Sequence, residues 1–202
     1  MGDFVLNKLK YVLDIGSSTL RLMAVARISG QSRIIAEEDI LYDGFMDGEF
    51  LSVDELDDVL SQLLDRMTSK MRRPIKALVV GVPSEFCICV CKRISRKFVD
   101  LHKITQSDIL NLYQNNLNFG DSEEYSVINY SPMQFTLDDN HTTMSPVGMK
   151  STTLIMDSSF ILAKKSFLTL LTEKFNSLGV ETVDFISNAL GHAMACERVT
   201  DT

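Results

Sequence analysis

Two apolar runs, Tyr11 to Ile15 and Thr19 to Arg27, are joined by a Gly-Ser-Ser segment. Two short apolar runs bounded by turn residues predict a β-hairpin. A third run, Ser32 to Leu41, follows Gly30 and predicts another strand, so the chain opens with a three-strand meander. The segment Asp43-Gly44-Phe45-Met46-Asp47-Gly48 then has the composition of a loop.

The period changes after Leu51. Ser52-Val53-Asp54-Glu55 reads as a capping box, and Leu56, Val59, Leu60, Leu63, Met67 and Met71 fall on one helical stripe that Pro74 ends. Ile75 to Val82 is nearly all apolar, as expected of a central strand covered on both faces and reached by a helical crossover.

From Pro83 to about Ile161 the order is different. The spacing predicts a cysteine-bearing strand, a helix from Thr105 to Leu117 capped by Thr105-Gln106-Ser107-Asp108, and long strands at Tyr125–Leu137 and Ser151–Leu162. A helix over Lys164 to Leu178 stopped by Gly179, a strand over Val180 to Ile186, and a last helix capped by Ser187 and running through Ala189, Ala193 and Met194 complete the chain. With the middle segment set aside, the order β-β-β-α-β-α-β-α is that of the ribonuclease-H-like fold, the unit of each half of the actin and Hsp70 superfamily. The expected fold class is therefore α/β: one actin-like lobe with a mixed sheet, formed by residues 1–92 and 163–202, plus an inserted α+β subdomain at 93–162.

Composition narrows the function classes. The 202 residues suffice for one domain with an insertion, and 45% hydrophobic with 23% charged residues describes an ordinary folded protein. A net charge of −7 argues against a partner bound through its phosphate backbone, so no nucleic acid is expected. No apolar run reaches the roughly 20 residues of a membrane span, and the first ten residues lack a signal core, so a cytoplasmic protein without direct membrane insertion is expected. Gly2 lacks the serine or threonine that a myristoylation signal places downstream. Cys87, Cys89 and Cys91 share one strand face and are expected to be small buried thiols rather than metal ligands, with only Cys196 elsewhere.

Candidate chemistry gathers at Asp14-Ile15-Gly16-Ser17-Ser18, at a strand end. Such a turn aims N–H groups and two hydroxyls at a phosphate, Gly16 allows close approach, and Asp14 suits a magnesium-bound water; the same residues also satisfy an ordinary hairpin turn. A metal-dependent nuclease would need Asp14 joined by Asp57 or Asp58 and by Glu85, and an acidic surface repels its substrate.

Leu13-Asp14-Ile15-Gly16-Ser17-Ser18 resembles the first phosphate motif of the bacterial division protein family FtsA. Gly44 and Gly48 resemble that family's two loop glycines, and Ile104 to Ile109 resembles the helix start of its inserted SHS2 subdomain. Ser145-Pro146-Val147-Gly148-Met149 resembles the turn before that subdomain's last strand, and Phe175 to Glu181 the return into the lobe. The pilus-assembly relative PilM shares the fold, and its pattern matches less well. The resemblance implies a role in septation through protein–protein contacts, without catalytic residues: division proteins and self-association through residues 93–162, at the inner face of the membrane at the division site. It implies a degenerate phosphate site at Asp14, Gly16, Ser17 and Ser18, since Thr19 stands where the family has a basic residue. The second phosphate motif and the opposing lobe have no counterpart up to Thr202. ATP with magnesium, and FtsZ, are thus expected only where a second lobe is present. An ATP-dependent kinase or chaperone piece of the same superfamily is the alternative.

Overall fold

The computed structural model describes residues 9–116, 123–138 and 140–192, and these fall into two compact units, one of the described residues up to 87 and from 166 on, the other of those between 88 and 165. The expected helix end at Leu117, the helix positions Ala193 and Met194, Cys196 and the first eight residues lie outside the described residues.

The first unit holds strands β1 (Lys10–Ile15), β2 (Thr19–Ile28) and β3 (Gln31–Leu41), each antiparallel to the next. Ser29 and Gly30 both have positive φ, as a two-residue turn matched to strand twist requires. The segment expected to be loop is a small hairpin, β4 (Phe45–Met46) with β5 (Glu49–Phe50), turning at Asp47 (φ 53°) and Gly48 (φ 73°). Asp-Gly is a strong signal for this turn, but two-residue strands leave no alternation to read.

Helix α1 (Val53–Met71) buries Leu56, Val59, Leu60, Leu63, Leu64 and Met67. Its cap is half of the expected box: Ser52 Oγ accepts from the Glu55 N–H, while the Glu55 carboxylate accepts from the Asp43 N–H instead. The helix stops before Pro74, at Arg72 in the left-handed region (φ 54°). Strand β6 (Ala77–Val82) then pairs parallel with β1, as its apolar run predicts.

In the second unit, β7 (Cys87–Lys103), β8 (Tyr125–Thr136), the two-residue β9 (Thr142–Thr143) and β10 (Lys150–Lys164) form a sheet of order β7-β10-β8-β9. Helix α2 (Gln106–Gln114) covers one face. Its Ile109, Leu112 and Tyr113 share a core with Ile94, Phe135, Leu154, Met156, Phe160 and Leu162. The cysteines of β7 correct an expectation: Cys89 and Cys91 are exposed and Cys87 only half-buried. Alternation puts all three on one face, but Val90, Ile94 and Phe98 turn the opposite face to the helix.

The chain returns to the first unit through α3 (Lys165–Ser177), stopped at Gly179 (φ 83°), and β11 (Thr182–Ser187), parallel to β6. The completed five-stranded sheet has the order β11-β6-β1-β2-β3. Beside it, Lys174 of α3 binds the Asp57 carboxylate of α1, and Phe50 stacks on Phe167 with centroids 5.7 Å apart. Three antiparallel strands extended by two parallel crossovers are the ribonuclease-H-like order expected from sequence.

Candidate functional site

The turn Gly16 to Thr19 lies at the carboxyl end of β1, where ligand sites of open α/β sheets form. Gly16 N–H donates to Thr19 O at 2.9 Å, and an added Cβ at Gly16 would sit 3.0 Å from that same oxygen. Two further contacts hold the turn from below. The Tyr42 hydroxyl donates to Gly16 O at 2.8 Å, and Tyr42 N–H donates to Ser18 O at 3.2 Å. Burial, with the Asp14 and Glu55 charges adding to it, pushes the Tyr42 phenol far above its ordinary range, so it remains a donor at neutral pH. Gly44 passes so close beneath that a Cβ there would lie 1.8 Å from Ser17 O, and its φ is +85°.

Asp14 is exposed, and its Oδ1 accepts from Asn188 Nδ2 at 3.0 Å. The bridge runs over Gly81 of β6, where a Cβ would meet Asn188 Oδ1 at 2.0 Å. Three strand ends thus meet at Asp14, Gly81 and Asn188. Ser17 and Ser18 are exposed at the tip.

The fit to a nucleotide phosphate is partial. Hydroxyl and N–H donors are present, but Arg21, the cross-strand neighbour of Asp14, gives its Nε to Glu37 at 2.9 Å. Neutral donors alone compensate a triphosphate poorly. The carboxylates required of a nuclease do not assemble: Asp57 is bound by Lys174, and no group of three or more His, Cys, Asp or Glu that could hold a metal occurs among the described residues.

In the second unit, the residues Pro146 to Met149 form a turn with Met149 N–H donating to Pro146 O at 3.0 Å, and Gly148 takes φ +91°. The turn is fastened to the start of α2: Gly148 N–H donates to Ile104 O at 2.8 Å and Ile104 N–H to Met149 O at 2.9 Å. Pro146 is buried, and Met149 packs on the unit's core. Next to Ile104, the Thr105–Asp108 capping box is complete. Asp108 also receives Arg96 at 3.1 Å and His102 at 2.9 Å. Burial alone would raise its pKa, but the bonds from Thr105 and His102 outweigh that and bring it down to about 2.

A mixed-sheet, actin-like lobe carrying a small α+β insertion defines the class of protein. Within it, residues 91–162 match the family model described as the SHS2 domain inserted in FtsA. The chain is 22% identical over 179 residues to the cell division protein FtsA of Streptococcus pneumoniae, covering 88% of this chain and 39% of that one. It is 24% identical over 138 residues to FtsA of Enterococcus faecalis, covering 68% and 31%. The chain is FtsA-like and contains the SHS2 domain; it spans about a third to two fifths of the length of these relatives. Among solved structures, the PilM-PilN type IV pilus biogenesis complex matches with a TM-score of 0.55 and 14% identity, covering 87% of this chain and 47% of that chain, which is a likeness of fold.

Sequence reasoning named Asp14, Gly16, Ser17, Ser18, Pro146, Gly148 and Met149; Asp14 lies near the end of β1 with Gly16, Ser17 and Ser18 in the turn that follows, and Pro146, Gly148 and Met149 share the other turn. It missed Tyr42, Gly81 and Asn188. Gly81, a glycine inside an apolar strand, was the available signal, since such a glycine often marks the close approach of another group.

Proposed function

We propose that this chain acts in bacterial cell division by protein–protein contacts made through residues 93–162, and not by catalysis. The observation that carries the reading is the fastening of the Pro146–Met149 turn to Ile104, which joins the start of the helix to the start of the last strand. Those are the residues through which the sequence resembles FtsA, and they make the SHS2 unit a body with fixed edges. Its edge strand β7 offers unpaired backbone, with Val99 wholly exposed and Leu101 63% exposed. Long edge strands and apolar exposure of this kind suit strand addition by a partner or a second copy.

The partners are division proteins met in the cytoplasm, at the inner face of the membrane. No helix of the described residues is long and apolar enough to cross a membrane. Contact with FtsZ requires the surface of a second lobe, and ATP with magnesium requires that lobe because the turn at Asp14 to Ser18 supplies one side of such a site. The test replaces residues 93–162 by a short Gly-Ser linker and measures recruitment of division proteins. Loss of recruitment with the lobe still folded supports the reading. Undiminished recruitment places the interaction elsewhere.

A further inference from the structure

The solvent-facing side of β7 carries Cys89 and Cys91, two residues apart on one strand. Across the sheet, β8 pairs Gln134 with Asp157 and Pro132 with Ser158, leaving Met133 as the extra residue of a bulge. Bulges re-aim side chains, and this one brings Met133 Sδ to 3.9 Å from Cys91 Sγ, both exposed. The sequence spacing, without a second cysteine pair, argues against a zinc knuckle, but the burial expected of these thiols is absent.

Two distances distinguish what the sulfurs can do. Alternate residues of a strand have Cα atoms about 6.6–6.8 Å apart. That is the outer limit for a disulfide, which usually spans about 5.5–6 Å, so oxidation within the pair is strained. A metal ion reaches further. With metal–sulfur bonds of about 2.3 Å, an ion bonded to both Cys91 and Met133 at their observed separation subtends about 120°, the angle of a trigonal site. The donors are two thiols and a thioether, with the nearby charges Arg93 and Asp157 already bound to each other at 2.7 Å. Thiolates serve zinc and copper(I) alike, but a thioether is not among zinc's usual cysteine, histidine and carboxylate ligands, so the set favours copper(I) over zinc and over the oxygen-seeking calcium and magnesium.

We propose that Cys89, Cys91 and Met133 form a surface site for copper(I), independent of the role in division. Binding breaks two S–H bonds, forms two S–Cu bonds and delivers two protons to solvent. Met133 adds a sulfur lone pair, and no atom changes oxidation state. The open face allows the ion to be exchanged with another thiol carrier.

The test presents copper(I), without oxygen, as its bicinchoninate complex to the 202-residue chain and follows loss of the chromophore. One equivalent should transfer. Cys89→Ser and Cys91→Ser should each weaken uptake by more than the roughly 10–100-fold that changes around a ligand cost, and Met133→Leu by roughly tenfold. Cys87→Ser and Cys196→Ser should leave affinity within about twofold, and circular dichroism should show every variant folded. No transfer of copper, uptake unchanged in Cys89→Ser or Cys91→Ser, or affinity unchanged in Met133→Leu would overturn the three-sulfur site.

Discussion

The two units each hang a candidate site turn on a glycine with positive φ, and they do so for different physical reasons. Gly44 in the lobe has φ +85° and no room: its missing side chain is the space that the Ser17 carbonyl occupies. Gly148 in the SHS2 unit has φ +91° and nothing within 4 Å of where a Cβ would be. The lobe glycine is therefore a packing requirement, while the SHS2 glycine is a conformational one. The lobe turn is set by what lies against it, whereas the SHS2 turn is set by its own backbone and two hydrogen bonds to Ile104.

The sharpest way to break this contrast is a pair of alanine substitutions followed by denaturant melts. Gly44→Ala combines left-handed strain with overpacking against backbone and should cost about 2–5 kcal/mol. The second test addresses the Asp108 cluster. Its folded pKa of about 2 lies below an unfolded value near 4, so its contribution is present above about pH 4 and fades as pH falls toward 2. That contribution should be about 1–2 kcal/mol, seen as an acid-dependent loss of amide protection along β8 and β10 that is absent from Asp108→Asn. Gly148→Ala, which faces strain alone, should cost only about 1 kcal/mol; an effect equal to that of Gly44→Ala would end the distinction. The smallest effect is expected for ATP, whose binding should be weak or undetectable by calorimetry. Low-micromolar affinity abolished by Asp14→Ala would show the lobe turn to be a self-sufficient phosphate site.

Apart from the two-residue strands β4 and β5, structural causes that lay within a few residues were carried by the sequence. The α1 stripe, the Thr105–Asp108 cap and the Pro146–Met149 turn are all local, and each is present. Causes spread along the chain were not readable. Asn188 fills the gap above Gly81 and reaches Asp14 from 174 residues away, a contact no local pattern encodes. Glu55 occupies the position of a cap partner, yet its carboxylate serves Asp43, because a loop delivers that N–H within reach. The cysteines show a third kind of loss. Period two fixes which residues share a face, and only the position of α2 decides which face is inside.

The antiparallel course of β7 and β10 has a consequence for how the chain folds. Arg93 meets Asp157 and Ile104 meets Met149, so the strand that leaves the lobe and the strand that returns to it run back to back. Once the SHS2 unit has formed, its first and last residues are neighbours, and the pairing of β11 with β6 closes a short effective loop instead of the full intervening length. Loop-closure entropy rises only by about 0.6 kcal/mol for each doubling of length, and here even that increment is removed in advance. The order of events this favours is hierarchical, with the small sheet condensing early and the β6–β11 contact following at a rate set by a short tether.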